Sequence, residues 1–181
     1  AVTGDFGYTG AGLYALSKYG RVSRGFVGKA ISAVLKPKPP LELGLMLAER
    51  RLMSSSIDSS DGLALSLYSL SEASRVKIVV YDLPVAKGLH KFAEENGLSW
   101  EELVFYSGEE YEIVFTTPED KLDEIKRLSK SLGRRIKVIG RVERGKPVVE
   151  YITLSGKKIL ERRGWIHLQK RESKIGSESA T

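Results

Sequence analysis

Apolar and polar positions along this chain repeat with two different periods, and each period predicts its own elements. Phe26, Ala30, Ala33 and Val34 recur at helical spacing and stop before Pro37, so they predict a helix that the proline ends. A helix is expected ahead of it, from about Gly10 to Tyr19. Lys36-Pro37-Lys38-Pro39-Pro40 can only be an extended connector. Leu43 and Leu47 then place a helix over 41–53. Further helices are predicted over 63–74, over 85–96 with Gly97 as its stop, and over 119–132 with Gly133 as its stop. Strand patterns cover Val76 to Tyr81, closed by Pro84, and Glu112 to Thr116, which Trp100 to Phe105 leads into. Two more, over 136–142 and 147–154, are expected to form a hairpin through Arg144-Gly145-Lys146. Val2-Thr3 reads as a strand end, and Ser54 to Asp58 as a short strand or turn. Strands and helices mixed in this way give an α/β (α+β) layered fold, a mixed sheet packed with helices.

Composition narrows the class. The 181 residues suit one domain, expected over 1–170, with a loose polar tail over 171–181. A hydrophobic fraction of 41% with 29% charged residues is globular, and no apolar run approaches the roughly 20 residues that span a bilayer. The chain has no cysteine, which excludes disulfides and thiolate metal sites. No secretory signal is visible at Ala1 to Asp5, so the cytoplasm is the expected compartment. One Asn (Asn96) and one Gln (Gln169) among many Arg, Lys and Glu fit a thermophile. The net charge of +6 suits an anionic ligand such as ATP, a phosphate ester or a nucleic acid.

The chemistry concentrates in Ile57-Asp58-Ser59-Ser60-Asp61-Gly62. Two carboxylates three positions apart can share a hard cation, or hold two ions bridged by phosphate oxygens. The helix that follows offers backbone N–H groups and a positive dipole end to the same anion. The plainer reading is that Asp61 caps that helix. Gly4, Gly7, Gly10 and Gly12 form a second candidate, either a loop facing phosphate or a turn with a close helix crossing. A third is Tyr106-Ser107-Gly108-Glu109-Glu110-Tyr111-Glu112, whose crowded carboxylates favour a nearby cation or else mark a solvated turn. The last is Arg163-Gly164-Trp165-Ile166-His167, where Trp165 is either core or a stacking platform for a flat cationic ring.

Taken in order, Leu41 to Gly44, Ser56 to Leu63, Ser107 to Glu112 and Gly164-Trp165 resemble the thiamine-monophosphate kinase family, within the aminoimidazole-ribonucleotide-synthetase-like superfamily. Val2 to Leu13 resembles the glycine loop at the junction of that family's two halves, with 1–12 as the junction. The resemblance covers nearly all of this chain but only the C-terminal half of the family protein. It implies Mg²⁺-dependent transfer of the ATP γ-phosphoryl group to thiamine monophosphate, by a phosphotransferase that is a homodimer when whole. It further implies that Asp58 and Asp61 hold Mg²⁺, that Ser60 contacts ATP, and that Glu109 contacts the thiamine substrate with Trp165 packed beside it. No covalent nucleophile is implied. The absent N-terminal half would supply most nucleotide contacts, so this chain alone is expected to be inactive.

Three positions depart from the family pattern. Ser107 stands where a glycine is usual, Glu110 where an Asp is usual, and Tyr8 where the opening loop carries an Asp. Two alternatives follow from other features. A sister enzyme of the superfamily would use ATP on another acceptor, although no catalytic cysteine is present for the hydrogenase-maturation or selenophosphate type. A basic nucleic-acid-binding domain would use Arg134, Arg135, Lys137, Arg141, Arg144 and Lys146 on the expected hairpin, with Arg162 and Arg163 nearby.

Overall fold

The computed structural model describes residues 1–164. Seven α-helices run in chain order: α1 (Tyr8–Tyr19), α2 (Gly25–Leu35), α3 (Leu41–Glu49), α4 (Leu63–Ser74), α5 (Leu89–Asn96), α6 (Trp100–Phe105) and α7 (Leu122–Ser131). The strands are β1 (Ser55–Asp58), β2 (Lys77–Val80), β3 (Ile113–Thr116), β4 (Gly140–Glu143), β5 (Val148–Thr153) and β6 (Gly156–Ile159). β1 and β3 pair antiparallel. The other four form a mixed sheet in the order β4-β2-β5-β6, with β2 and β5 parallel. The α+β architecture with a mixed sheet is the one expected.

Burial explains why β2 takes the centre of its sheet. Ile78, Val79 and Val80 are all buried, so both edges of the strand need partners for their backbone groups. β4 supplies one edge and β5 the other, and the expected hairpin between β4 and β5 therefore does not form. The residues read as its turn instead carry the chain across the end of β2. β5 makes its hairpin with β6, whose four residues are all exposed and so show no alternation in the sequence.

Helix starts shift for local reasons. Val85 and Ala86, expected to open α5, instead pair with Phe6: the Phe6 N–H donates to Pro84 O and the Ala86 N–H to Phe6 O. α5 begins only after Gly88, which takes a φ of 100°. α3 stops at Glu49, because Arg51 turns left-handed and swings Leu52 into the core. Along β3 the faces alternate as strand geometry requires. Val114 enters the main core, while Phe115 packs with Leu43, Leu47, Leu52, Ile125 and Leu128 in a second cluster beneath α3 and α7. α1 crosses α2 closely at Gly12, where a methyl group would lie 2.2 Å from the Ala30 carbonyl oxygen.

Candidate functional site

Register assembles the site. β1 pairs with β3 so that Asp58 lies opposite Ile113, the first residue of β3. The turn that leaves β1 (58–62) therefore meets the acidic turn that enters β3 (107–112). Two hydrogen bonds join them: the Glu112 N–H donates to Ser59 Oγ (2.9 Å), and the Glu109 N–H to Ser60 O (2.7 Å). Gly62 closes the first turn with a φ of 101°, and a methyl group there would come within 3.2 Å of the Phe105 and Ser107 carbonyl oxygens. α4 begins directly afterwards. Its N-cap is Gly62 and carries no side-chain bond, so Asp61 does not cap the helix.

The carboxylates divide into two groups. Asp58 and Asp61 are exposed. The hydrogen bonds around them use other atoms, such as the Ser66 hydroxyl donating to Asp58 O at 2.9 Å, and among the described residues neither carboxylate has an ion pair. Glu110 and Glu112 are committed internally. The Gly7 and Thr9 N–H groups donate to Glu110 Oε1 (2.7 and 3.1 Å), so Glu110 sits at the N-terminus of α1. The glycine loop thus has a carboxylate of this chain where a phosphate was a candidate, and of its four glycines only Gly7 takes a positive φ. Glu112 accepts the Thr3 hydroxyl (2.5 Å), and Thr3 Oγ1 in turn accepts the Ile113 N–H (2.8 Å).

Burial pushes the Glu110 carboxyl up to about 7 against the opposing pull of the Thr9 and Gly7 N–H groups, and Glu112 adds to the rise. Glu112 is also raised, again chiefly by burial, with the Thr3 hydroxyl and Arg134 pulling it back. Internal bonding and partial neutralisation thus relieve much of the crowding read from the sequence. Of the three acids in that turn, Glu109 is left with a half-buried side chain on a backbone at φ 66°.

The third piece also arrives. Arg163 lays its guanidinium 3.6 Å from the centre of the Tyr106 ring and pairs with Glu102 and Glu161. Gly164 is thereby seated on the 58–62 turn, where a methyl group would lie 2.2 Å from Asp61 O. Trp165, expected beside the substrate, lies outside the described residues, as do the tail and the expected boundary near residue 170.

The hydrogen bonds by which Thr3, Thr9, Ser59 and Ser66 knit these turns together are not legible in the sequence, because most of the partners are distant in the chain. A cleft of about 380 Å³ beside the acidic turn was also missed; Asp5, Tyr8, Lys29, Lys36, Glu110 and Arg134 line it. It draws on segments that share no motif.

The donor set fits Mg²⁺ in kind, since carboxylate oxygens are hard ligands. Among the described residues no group of three or more His, Asp or Glu converges to hold a metal, so two aspartates leave most of an octahedral shell to phosphate oxygens and water. The basic run offers little to a nucleic acid. Arg135 pairs with Asp5, Lys137 with Asp82, Arg141 with Glu143 and Arg162 with Glu72, and the hairpin that would present them is not formed. No helix among the described residues is long and apolar enough to cross a membrane.

No protein-family model matches the chain. Among curated proteins, the thiamine-monophosphate kinase of Nitrosopumilus maritimus (strain SCM1) is 42% identical over 168 residues, 92% of this chain and 52% of that protein. The thiamine-monophosphate kinase of Pyrococcus abyssi is 34% identical over 171 residues, 92% of this chain and 49% of that protein. Among solved structures, AaThiL complexed with AMPPCP and TMP superposes with a TM-score of 0.76 at 28% identity, covering 92% of this chain and 50% of that one. The E. coli hydrogenase maturation protein HypE, with a TM-score of 0.66 at 20% identity over 91% of this chain and 49% of that one, shares the fold alone. The chain spans about half the length of the curated relatives it matches. In sequence and in fold, this chain is similar to one half of a thiamine-monophosphate kinase, the C-terminal half to which its motifs pointed.

Proposed function

We propose that this chain is the C-terminal portion of an ATP- and Mg²⁺-dependent kinase that phosphorylates thiamine monophosphate to thiamine diphosphate. The observation that carries the reading is the β1–β3 register, which sets the two exposed aspartates against the acidic turn, with Gly164 seated on Asp61. Asp58 and Asp61 would hold Mg²⁺. When bound, the ion supplies neutralisation of phosphate charge and alignment of the reacting oxygens. Ser60, in the same turn, would contact ATP and fix its phosphates relative to the aspartates. Glu109 would meet the thiamine ring as its anionic partner, with Trp165 packed beside it. The ammonium groups of Lys29 and Lys36 in the adjoining cleft suit an anionic ligand. No residue of this chain needs to form a covalent intermediate, since both reactants are anions whose encounter is limited by charge and alignment.

We further place the whole enzyme in the cytoplasm of a heat-adapted organism, as a homodimer acting on ATP and thiamine monophosphate. The lack of cysteine and the near-absence of Asn and Gln support the compartment and the habitat.

The test is to join this chain to the N-terminal half of the Nitrosopumilus maritimus relative and follow conversion of thiamine monophosphate with ATP. Mg²⁺-dependent turnover is expected, falling at least about 100-fold in Asp61→Asn. Full turnover in that variant would overturn the metal assignment, and no turnover from a folded fusion would overturn the substrate.

A further inference from the structure

The cleft beside the acidic turn has two walls of opposite character. One is the exposed face of α2 and the connector after it, where Lys29, Ser32 and Lys36 recur at i, i+3 and i+7 and Lys38 follows. The other is the start of α1 with the acidic turn, and it carries Asp5, Tyr8, Glu110 and Glu112. The positive wall has no counter-charge of its own. From Phe6 to Leu41 the sequence holds six cations (Lys18, Arg21, Arg24, Lys29, Lys36 and Lys38) and no carboxylate, which equals the chain's whole net charge of +6.

The carboxylates across the cleft do not supply that counter-charge. Asp5 pairs with Arg135 at 3.0 Å, Glu110 accepts the Gly7 and Thr9 N–H groups, and Glu112 accepts the Thr3 hydroxyl; none of the three pairs with Lys29, Lys36 or Lys38 among the described residues. With its carboxyl pushed up to about 7, Glu110 repels an anion only weakly near neutral pH. The lysines are also held in place. Pro37, Pro39 and Pro40 restrict the connector, and Arg134 Nη2 donates to Lys38 O (3.2 Å) and Pro39 O (3.5 Å). Tyr8 stacks on Phe26 with ring centres 5.6 Å apart, which leaves Tyr8, Ala33 and Pro37 as a fixed apolar flank. A backbone ordered beforehand loses little entropy when a ligand arrives. The volume of about 380 Å³ lies within the range of about 300–1,000 Å³ usual for small-molecule sites, so there is room for more than an inorganic ion.

We propose that this cleft is a second ligand site and takes a small phosphate monoester, with Lys29, Lys36 and Lys38 around the phosphate and Tyr8, Ala33 and Pro37 against the organic part. Ammonium groups suit phosphate as point charges. No residue of the 58–62 turn lines the cleft, and neither does Glu109. The anion that Lys29 and Lys36 suit is therefore held apart from the metal and nucleotide proposed above, and its site does not depend on the kinase reading.

The test is to titrate the chain, without metal or ATP and at constant ionic strength, with phenyl phosphate and with inorganic phosphate, reading amide shifts. Saturating shifts are expected at Lys29, Ser32, Lys36 and Lys38. Phenyl phosphate should bind at least about 10-fold more tightly than inorganic phosphate, because its ring covers the apolar flank. The double variant Lys29→Gln, Lys36→Gln should weaken phenyl phosphate at least about 10-fold. Ser32→Asp, which keeps every lysine and adds a carboxylate, should do the same. The Val79 and Val80 amides report an intact fold. Shifts that fail to saturate, shifts centred on 58–62, or binding unchanged in either variant would overturn the proposal. Equal affinity for the two probes would also overturn it, by making the cleft a site for free phosphate. If the chain alone does not fold, the same titration is run on the fusion described above, and the same outcomes decide. Failure here leaves the Asp61→Asn turnover test untouched, so the two readings fall separately.

Discussion

Glu110 is the residue whose behaviour departs most from its place in the sequence. Read from the sequence, it is one of three acids in a crowded turn; in the fold it is half-buried against the N-terminus of α1 with its carboxyl raised to about 7. The folded state therefore binds a proton that the unfolded chain has already released between its ordinary value of 4.5 and about 7. Stability from this group is full below 4.5 and is lost as pH rises through 7, by about 3 kcal/mol in all. Glu110→Gln keeps an acceptor for the Gly7 and Thr9 N–H groups and removes the proton. In urea unfolding from pH 4 to 8, the parent's stability should fall relative to the variant's as pH rises through 7, whatever Glu112 and the other titrating groups contribute to both. A slope equal to the parent's would show that Glu110 is not the buried acid. Thr3→Val tests the neighbouring contact. It strips both hydroxyl bonds, leaving Glu112 and the Ile113 N–H unpaired, and should cost about 2 kcal/mol in the same assay.

At the scale of elements, the turn between β1 and α4 depends on Gly62. A side chain at φ 101°, pressed on the Phe105 and Ser107 carbonyl oxygens, is strained, so Gly62→Ala should lose about 1–3 kcal/mol and spread the two turns apart. Thermal unfolding checks the first effect, and amide shifts at Glu109 and Glu112 the second. How far such elements could be read from sequence depends on where their partners lie. α4 was legible to the residue because a leucine-rich run follows a glycine, and β2 because Ile78 to Val80 are continuously apolar. The pairing of β4 with β5 was misread, since adjacency in sequence suggested a hairpin and only burial shows β2 between them. Asp58 and Asp61 stood out through their spacing alone. The role of Glu110 did not, because the N–H groups it serves lie 103 and 101 positions away.

At the scale of the molecule, the chain brings four distant stretches to one place: the opening glycine loop, the aspartate turn, the acidic turn and the segment ending at Gly164. Each contact is modest, but together they hold two exposed aspartates, without an ion pair among the described residues, beside a half-buried glutamate. The account's central claim is that this surface receives a metal-bound nucleotide. It is tested most directly by adding Mn²⁺ and ATP to the chain joined to the N-terminal half of the Nitrosopumilus maritimus relative, and recording which amide signals the paramagnetic ion broadens. The account predicts that Asp58 to Gly62 broaden first and Ser107 to Glu109 next, with Asp58→Asn and Asp61→Asn each weakening the effect. Broadening centred elsewhere, or unchanged by both substitutions, would contradict it.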